Sequence, residues 1–224
     1  ATQITMTTKE LEQRLQAQDL LFLVEKHRCN ESRENLLRRF LTARDNDVEK
    51  AFSFLKSDLE WREQQHVFKY HSLTSSGVLG VDGDVSGKTM LDSMFAIGYL
   101  GKDFQGRPVV YRKITPQLDA VKLTTETNMT YEKFIEYNIW LLERMAKTMS
   151  DEGQWVTILD LSELRFGHIT KMHLNWIKVL ADLLKEHYPE RLGKNMIINA
   201  PTVFSTAWTI AKTWLDERTK QKIS

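Results

Sequence analysis

The sequence predicts an α/β fold in which an all-helical N-terminal lobe precedes a mixed, largely parallel sheet flanked by helices. Three observations carry that expectation. Apolar residues recur at helical spacing through the first third of the chain, and no proline interrupts them. Beyond residue 90, short apolar runs alternate with long amphipathic stretches. That succession builds parallel strands joined by right-handed helical crossovers. Between the two, residues 71–87 are dense in Ser, Gly and Asp, the composition of a connecting segment.

Each element follows from its residues in order. Leu11, Leu15 and Leu20 to Leu23 form a loose apolar stripe. Asn30 is suited to cap a second helix that sets Leu36, Leu37, Phe40 and Leu41 on one face. Asp47 is suited to cap a third, in which Val48, Ala51, Phe52, Leu55 and Leu59 recur at helical spacing. Strands are expected at 93–100, 109–114, 155–161 and 195–199. The first two flank a polar turn at 102–108 and read as a hairpin. The runs 156–161 and 196–199 are almost wholly apolar, as suits buried strands with helices over the sheet. Amphipathic helices are expected at 131–149 and 169–187. The latter sets Ile169, Met172, Trp176, Ile177, Leu180 and Leu184 on one side. The division is therefore a helical lobe at 1–75 and a sheet-containing domain at 76–224.

Composition excludes several classes of function. The net charge is +1, with basic and acidic residues interleaved, which does not suit a nucleic-acid-binding face. Cys29 is the only cysteine, so no internal disulfide can form and a reducing compartment is expected. Residues 1–11 are polar and lack the apolar segment of a signal peptide. No apolar stretch reaches the roughly 18 residues that span a bilayer. The expected location is the cytoplasm.

The chemical motifs argue against catalysis. Residues 83–89 end in Gly87, Lys88 and Thr89, like a phosphate-binding loop. The position that should hold the first glycine is Asp82, whose carboxylate repels phosphate. His168 and His173 are five apart and do not share a helical face, so no metal site is expected. Asp160 ends an apolar strand, where a carboxylate usually binds the following turn. No catalytic residue, metal or cofactor is expected.

Three segments together resemble the CRAL-TRIO family. The first runs Asn35, Leu36, Leu37, Arg38, Arg39, Phe40, Leu41, Thr42, Ala43, Arg44, then Asp47 to Ala51 and on to Trp61 and Arg62. The second is Asp103, Phe104, Gln105, Gly106, Arg107, Pro108, Val109. The third is Tyr188, Pro189, Glu190, Arg191, Leu192, Gly193, Lys194, followed by Ile197 to Pro201, Phe204 to Ala207 and Leu215 to Thr219. This last segment is similar to the phosphatidylinositol/phosphatidylcholine transfer branch, the yeast secretory "Sec-fourteen" type. The resemblance implies a sheet that encloses a lipid pocket and a mobile gate helix. It also implies a further strand and closing segment beyond Ser224, so the domain at 76–224 is expected to be short at its end.

The resemblance implies site residues as well. Arg44, Glu190, Thr219 and Lys222 match the set that reads an inositol phosphate in that branch. The chemistry fits: arginine and lysine neutralise phosphate, threonine donates a hydrogen bond, and glutamate accepts from inositol hydroxyls. At the choline-lipid positions, Tyr99 and Thr157 keep the family's residue types. Trp155 replaces a small hydroxyl residue, and Val110 replaces a tyrosine. The gate corresponds to 203–215 and carries Phe204, Trp208 and Trp214, with Phe204, Ala207, Trp208, Ala211 and Leu215 sharing one helical face. The expected function is binding and transfer of one phospholipid, phosphatidylinositol, between membranes, or its presentation to lipid-modifying enzymes. The chain is expected to act as a cytoplasmic monomer with transient peripheral contact to intracellular membranes, and without nucleic acid. Two alternatives stay open at this point: a carrier of a sterol, tocopherol-like or retinoid molecule, and a non-transferring interaction module.

Overall fold

Residues 2–71, 85–127, 129–148 and 153–224 are described in the computed structural model. The first third folds as α1 (Thr2–Ala17), α2 (Leu21–His27), α3 (Arg33–Thr42) and α4 (Val48–Gln64). Their facing sides bury Leu11, Leu15, Leu37, Phe40, Leu41 and Leu55 in one cluster, as the helical spacing of these leucines requires. The Asp47 carboxylate caps α4 by accepting from the Lys50 amide at 3.0 Å. Asn30 does not cap α3. Ser32 does, accepting from the Asn35 amide at 3.3 Å. Asn30 stands two residues too early, and its carboxamide donates instead to the Lys147 carbonyl at 2.8 Å.

A 3₁₀ turn at Val67–His71 leads towards α5 (Val85–Met94). The expected first strand began inside this helix. Leu91 and Met94 lie on one helical face and are fully buried, so their apolar demand is met before the sheet starts. β1 (Phe95–Lys102) and β2 (Pro108–Ile114) form the expected antiparallel hairpin. Its turn is closed by the Asp103 carboxylate, which accepts from the Gln105 and Arg107 amides at 2.9 Å each. Gly106 has φ 78° there, a conformation open to glycine.

The chain continues through α6 (Ala120–Thr127), α7 (Tyr131–Thr148), β3 (Trp155–Asp160), α8 (Lys171–His187) and β4 (Leu192–Ile198). It ends in α9 (Phe204–Ala211), a 3₁₀ turn at Lys212–Trp214, and α10 (Glu217–Gln221). The four strands lie in the order β1-β2-β3-β4, with β2-β3 and β3-β4 parallel. Ile223 makes a parallel bridge to Asn195 on the outer edge of β4.

A second cluster unites Leu91, Met94, Leu123, Trp140, Trp155 and Trp176. Val67 and Tyr70 join it from the N-terminal side of the expected boundary. Phe95, Trp155 and Leu192 reach the cluster from the sheet, so α7 and α8 cover the sheet face that those three residues share. Among the described residues, no helix is long and apolar enough to cross a membrane.

Candidate functional site

Three chain segments meet around Glu190. The turn between α8 and β4 holds Glu190 at φ 57°, a left-handed conformation that is strained for a residue with a side chain. Its carboxylate accepts from Lys222 Nζ at 2.7 Å and lies 3.9 Å from Arg218 Nη1. Lys222 ends α10, and Asp216 starts it by accepting from the Thr219 amide at 2.8 Å. The Thr219 hydroxyl also donates to Asp216 Oδ2 at 2.8 Å. Arg218 reaches across to the Thr42 carbonyl and the Asp45 carboxylate. This joins α10 to the turn that contains Arg44.

Arg44 itself folds back. Its guanidinium lies over the Phe54 ring, 3.5 Å from the centroid, and Nη1 donates to the Ala43 carbonyl at 3.0 Å. Glu190 and Lys222 are therefore in contact, Thr219 sits one turn before Lys222, and Arg44 adjoins them through Asp45 and Arg218. Sequence reasoning missed Arg218. Its only signal was position: it stands between Asp216 and Thr219 in a motif already singled out. The Lys222–Glu190 pair is partly exposed, with side-chain exposures of 23% and 18%. Pairs of this kind contribute little net stability, so an incoming phosphate can displace the carboxylate at small cost.

The choline-type positions form one cross-strand row. Tyr99 pairs with Val110, Val110 with Thr157, and Thr157 with Asn195. Trp155 lies two residues before Thr157 and shares its face. Trp155 and Val110 are 2% and 5% exposed, whereas Tyr99 is 55% exposed. On the opposite face, Asp160 accepts from the Tyr111 hydroxyl at 2.6 Å, the Ser162 amide at 2.9 Å and the Asn199 carboxamide at 3.1 Å. These bonds, Tyr111's first, hold its carboxyl well below the usual range. It ties the strand to the following turn.

The 203–215 segment is α9 followed by the 3₁₀ turn, and it packs against α8. The Phe204 and Trp208 rings stack with centroids 6.0 Å apart. Phe204, Trp208 and Trp214 are half-buried, and no residue of α9 or of the turn is buried. Pro201 precedes α9 and the Asp216 cap follows it, so breaks in the helix flank it at both ends.

The residues around Glu190 do different work. Tyr188 donates to Glu143 at 2.7 Å, the Pro189 carbonyl accepts from Arg39 at 2.7 Å, and Arg191 donates to Glu31 at 2.9 Å. Deeper in, Arg62 donates to Asp58 at 2.9 Å, Glu143 at 3.0 Å and the His187 carbonyl at 3.0 Å. His71 and His187 bond Glu143 and Asp58 at 2.8 and 2.9 Å. Trp61 stacks on His187 with centroids 3.5 Å apart. Burial works to raise the Glu143 carboxyl, but Arg62 and the bonds from His71 and Tyr188 outweigh it and hold it down to about 2. Burial, then the charge of Arg39, pulls Arg191 down to about 9. The network ties Glu31 before α3, α3 itself and α4 to α7, the end of α8 and the 188–191 turn. It borders a cavity of about 10 Å³ lined by Cys29, Arg62, Glu143 and Tyr188 among others. That is room for roughly one water molecule and none for a lipid.

The sequence matches a family model described as the CRAL/TRIO domain over residues 92–224. "Protein real-time" of Aedes aegypti is 26% identical over 83% of this chain, which spans 28% of that relative. "Phosphatidylinositol transfer protein CSR1" of Eremothecium gossypii is 31% identical over 85% of this chain, covering 42% of that protein. The chain thus spans less than half the length of these two relatives. The crystal structure of Sfh5 superposes with a TM-score of 0.72 at 17% identity, covering 100% of this chain and 80% of that one. At that identity the likeness concerns the fold.

Proposed function

The chain belongs to the CRAL/TRIO family of lipid-binding and transfer proteins, and from that premise we propose that it carries one phosphatidylinositol molecule. In this reading the helical lobe at 1–75 and the domain at 76–224 share the head group. Arg44, Thr219 and Lys222 hold the phosphate, with Arg218 beside them, and Glu190 accepts from the inositol. The acyl chains lie against the sheet behind α9, which opens at a membrane surface. The protein works as a cytoplasmic monomer that touches membranes only during exchange. The observation that carries the reading is the junction at Glu190. Residues near 44, 190 and 220 converge there, and a lipid phosphate can take over Arg218 and Lys222 from the carboxylates of Asp45 and Glu190 that now hold them.

Lipid extraction and mass spectrometry of the purified protein test it directly. Phosphatidylinositol is the expected ligand. A sterol, tocopherol-like or retinoid molecule in its place establishes the alternative carrier, and the absence of any lipid establishes an interaction module. Arg44→Ala and Lys222→Ala are each expected to weaken inositol-lipid loading about tenfold or more, since a charged hydrogen bond contributes about 1.5–3 kcal/mol. Melting temperature should change little, because both side chains lie outside the buried network. Unchanged loading in both variants removes these residues from the site.

Phosphatidylcholine transfer is expected to be weak. Trp155 fills the sheet face with a buried ring, and Val110 offers no hydroxyl to a phosphate. An indole face attracts a quaternary ammonium by about 0.5–2 kcal/mol, but here the ring is buried in the core cluster. Vesicle-to-vesicle assays with labelled phosphatidylcholine check this, and robust transfer decides against it.

A further inference from the structure

The row of the sheet next to the choline-type positions reads Ile97, Arg112, Leu159 and Ile197 across β1 to β4. Arg112 lies two residues after Val110 on β2, so it points to the face that α7 and α8 cover. Among the described residues, its guanidinium makes no hydrogen bond and no ion pair. The titratable group that acts on it is the Tyr137 phenol, which is itself committed to Asp92 at 2.8 Å. Arg112 keeps part of its surface accessible although it lies deep in the molecule. This is the condition of a side chain that lines an internal space. Burial pulls its pKa below the usual arginine value, yet a guanidinium stays charged at neutral pH.

Two further polar side chains face the same way. Thr157 makes no side-chain hydrogen bond among the described residues. The Asn195 side-chain oxygen is buried without a partner. Thr157 and Asn195 are paired across β3 and β4. Strands lie about 4.8 Å apart and alternate residues about 6.6 Å apart along a strand, so the long arginine side chain reaches the neighbouring row. Their surroundings on this face are Ile97, Val110, Trp155, Leu159 and Ile197. Buried polar groups are normally bonded, and a lone buried charge is strongly disfavoured without a counter-charge. An apolar wall with a few convergent polar groups is the usual make-up of a ligand pocket.

We propose that Arg112, with Thr157 and Asn195, forms an internal anion subsite that takes the charged end of an anionic lipid, a phosphate not capped by choline or a carboxylate. The inference rests on the reading of the chain as a lipid carrier. It adds a second binding mode, because one phosphate cannot occupy both this subsite and the junction at Glu190. Arginine offers paired donors in the geometry that carboxylates and phosphates accept. The Thr157 hydroxyl and the Asn195 side-chain N–H can donate to the anion, whereas the Asn195 oxygen, an acceptor, suits the Arg112 guanidinium. The same positive charge repels a choline ammonium, which agrees with weak phosphatidylcholine transfer.

The test incubates the purified protein with vesicles of phosphatidylcholine containing either phosphatidic acid or oleate, and measures bound lipid by native mass spectrometry. The protein should take up phosphatidic acid or oleate in preference to phosphatidylcholine, and the arm that loads identifies the anion. Arg112→Leu should lower that uptake about tenfold or more, Arg112→Lys should restore part of it, and Asn195→Leu should lower it less. Phosphatidylinositol uptake by Arg112→Leu should stay within about twofold. Lipid-free Arg112→Leu should melt at or above the temperature of the unmodified protein, since an unpaired charge has been removed. A lower melting temperature would show a structural ion pair and overturn the subsite. Equal anionic uptake by Arg112→Leu and the unmodified protein overturns the subsite and leaves the carrier reading standing. A protein that loads no lipid of any class overturns both.

Discussion

Arg62→Ala is expected to cost about 3–5 kcal/mol of folding stability. Arg62 is 7% exposed and bonds Asp58, Glu143 and the His187 carbonyl. Removing it leaves two carboxylates buried at 3% and 2% exposure without their principal counter-charge. Domains hold about 5–15 kcal/mol in total, so the loss is a large fraction of that stability. For a chain of this size it corresponds to a melting temperature lower by about 6–20 °C. Glu143→Gln should act in the same direction with a smaller effect, since the amide oxygen still accepts from Tyr188 at the Oε1 position, while the bond to His71 at the Oε2 position must reverse and the charge facing Arg62 is lost. Differential scanning calorimetry reads both. A shift below about 2 °C in each variant shows that the network contributes no net stability.

The same network sets the response to acid. Glu143 titrates below its unfolded value, at about 2. Its contribution is complete above the unfolded carboxyl pKa of about 4.3 and is lost as pH falls through the folded value. His27 adds an earlier loss. Burial is the first cause that lowers its pKa, so below about 6.5 the unfolded chain takes up a proton that the folded chain refuses. Stability should decline gently from that pH and steeply below about 4.3. The effect is specific to folding. A pH profile of lipid transfer corrected for the folded fraction should be flatter than the uncorrected one.

Little of this network was legible in the sequence. Asp58 and Arg62 are four apart on one helix, where an exposed ion pair is the ordinary reading. Glu143 lies 81 residues from Arg62, and nothing local marks it as their partner. The strands were readable because their period and their apolar runs are local properties. The hairpin was readable because Asp103 and Gly106 supply the chemistry of its turn. α5 was missed because Leu91 and Met94 run straight into the apolar residues of β1. α6 was missed because its three threonines, Thr124, Thr125 and Thr127, argue locally against a helix that tertiary packing of Leu123 imposes. The junction at Glu190 was named through resemblance alone. Its cation Arg218 and the lone charge of Arg112 needed coordinates, since a missing partner is not written in a sequence.

Locking α9 against α8 should abolish lipid exchange. A phospholipid buries about 30 methylenes at about 0.8 kcal/mol each, so leaving for water costs on the order of 24 kcal/mol. Escape through bulk solvent is negligibly slow, and exchange requires a pocket opened against a bilayer. The part that opens must be apolar, must tolerate partial exposure when closed, and must bend at its ends. α9 and its 3₁₀ turn meet these conditions: Phe204, Trp208 and Trp214 stay half-buried, Pro201 lies just before and the Asp216 cap just after. A disulfide joining α9 to α8 in a Cys29→Ser background should cut vesicle-to-vesicle transfer about tenfold or more, and reductant should restore it. Trp208→Asp should lower transfer as well, because a carboxylate resists entry into the membrane interface. Circular dichroism must show that this variant is folded, which the half-exposure of Trp208 leads one to expect. Transfer at the normal rate with the disulfide closed shows that α9 is a fixed wall of the domain and that lipid leaves by another route.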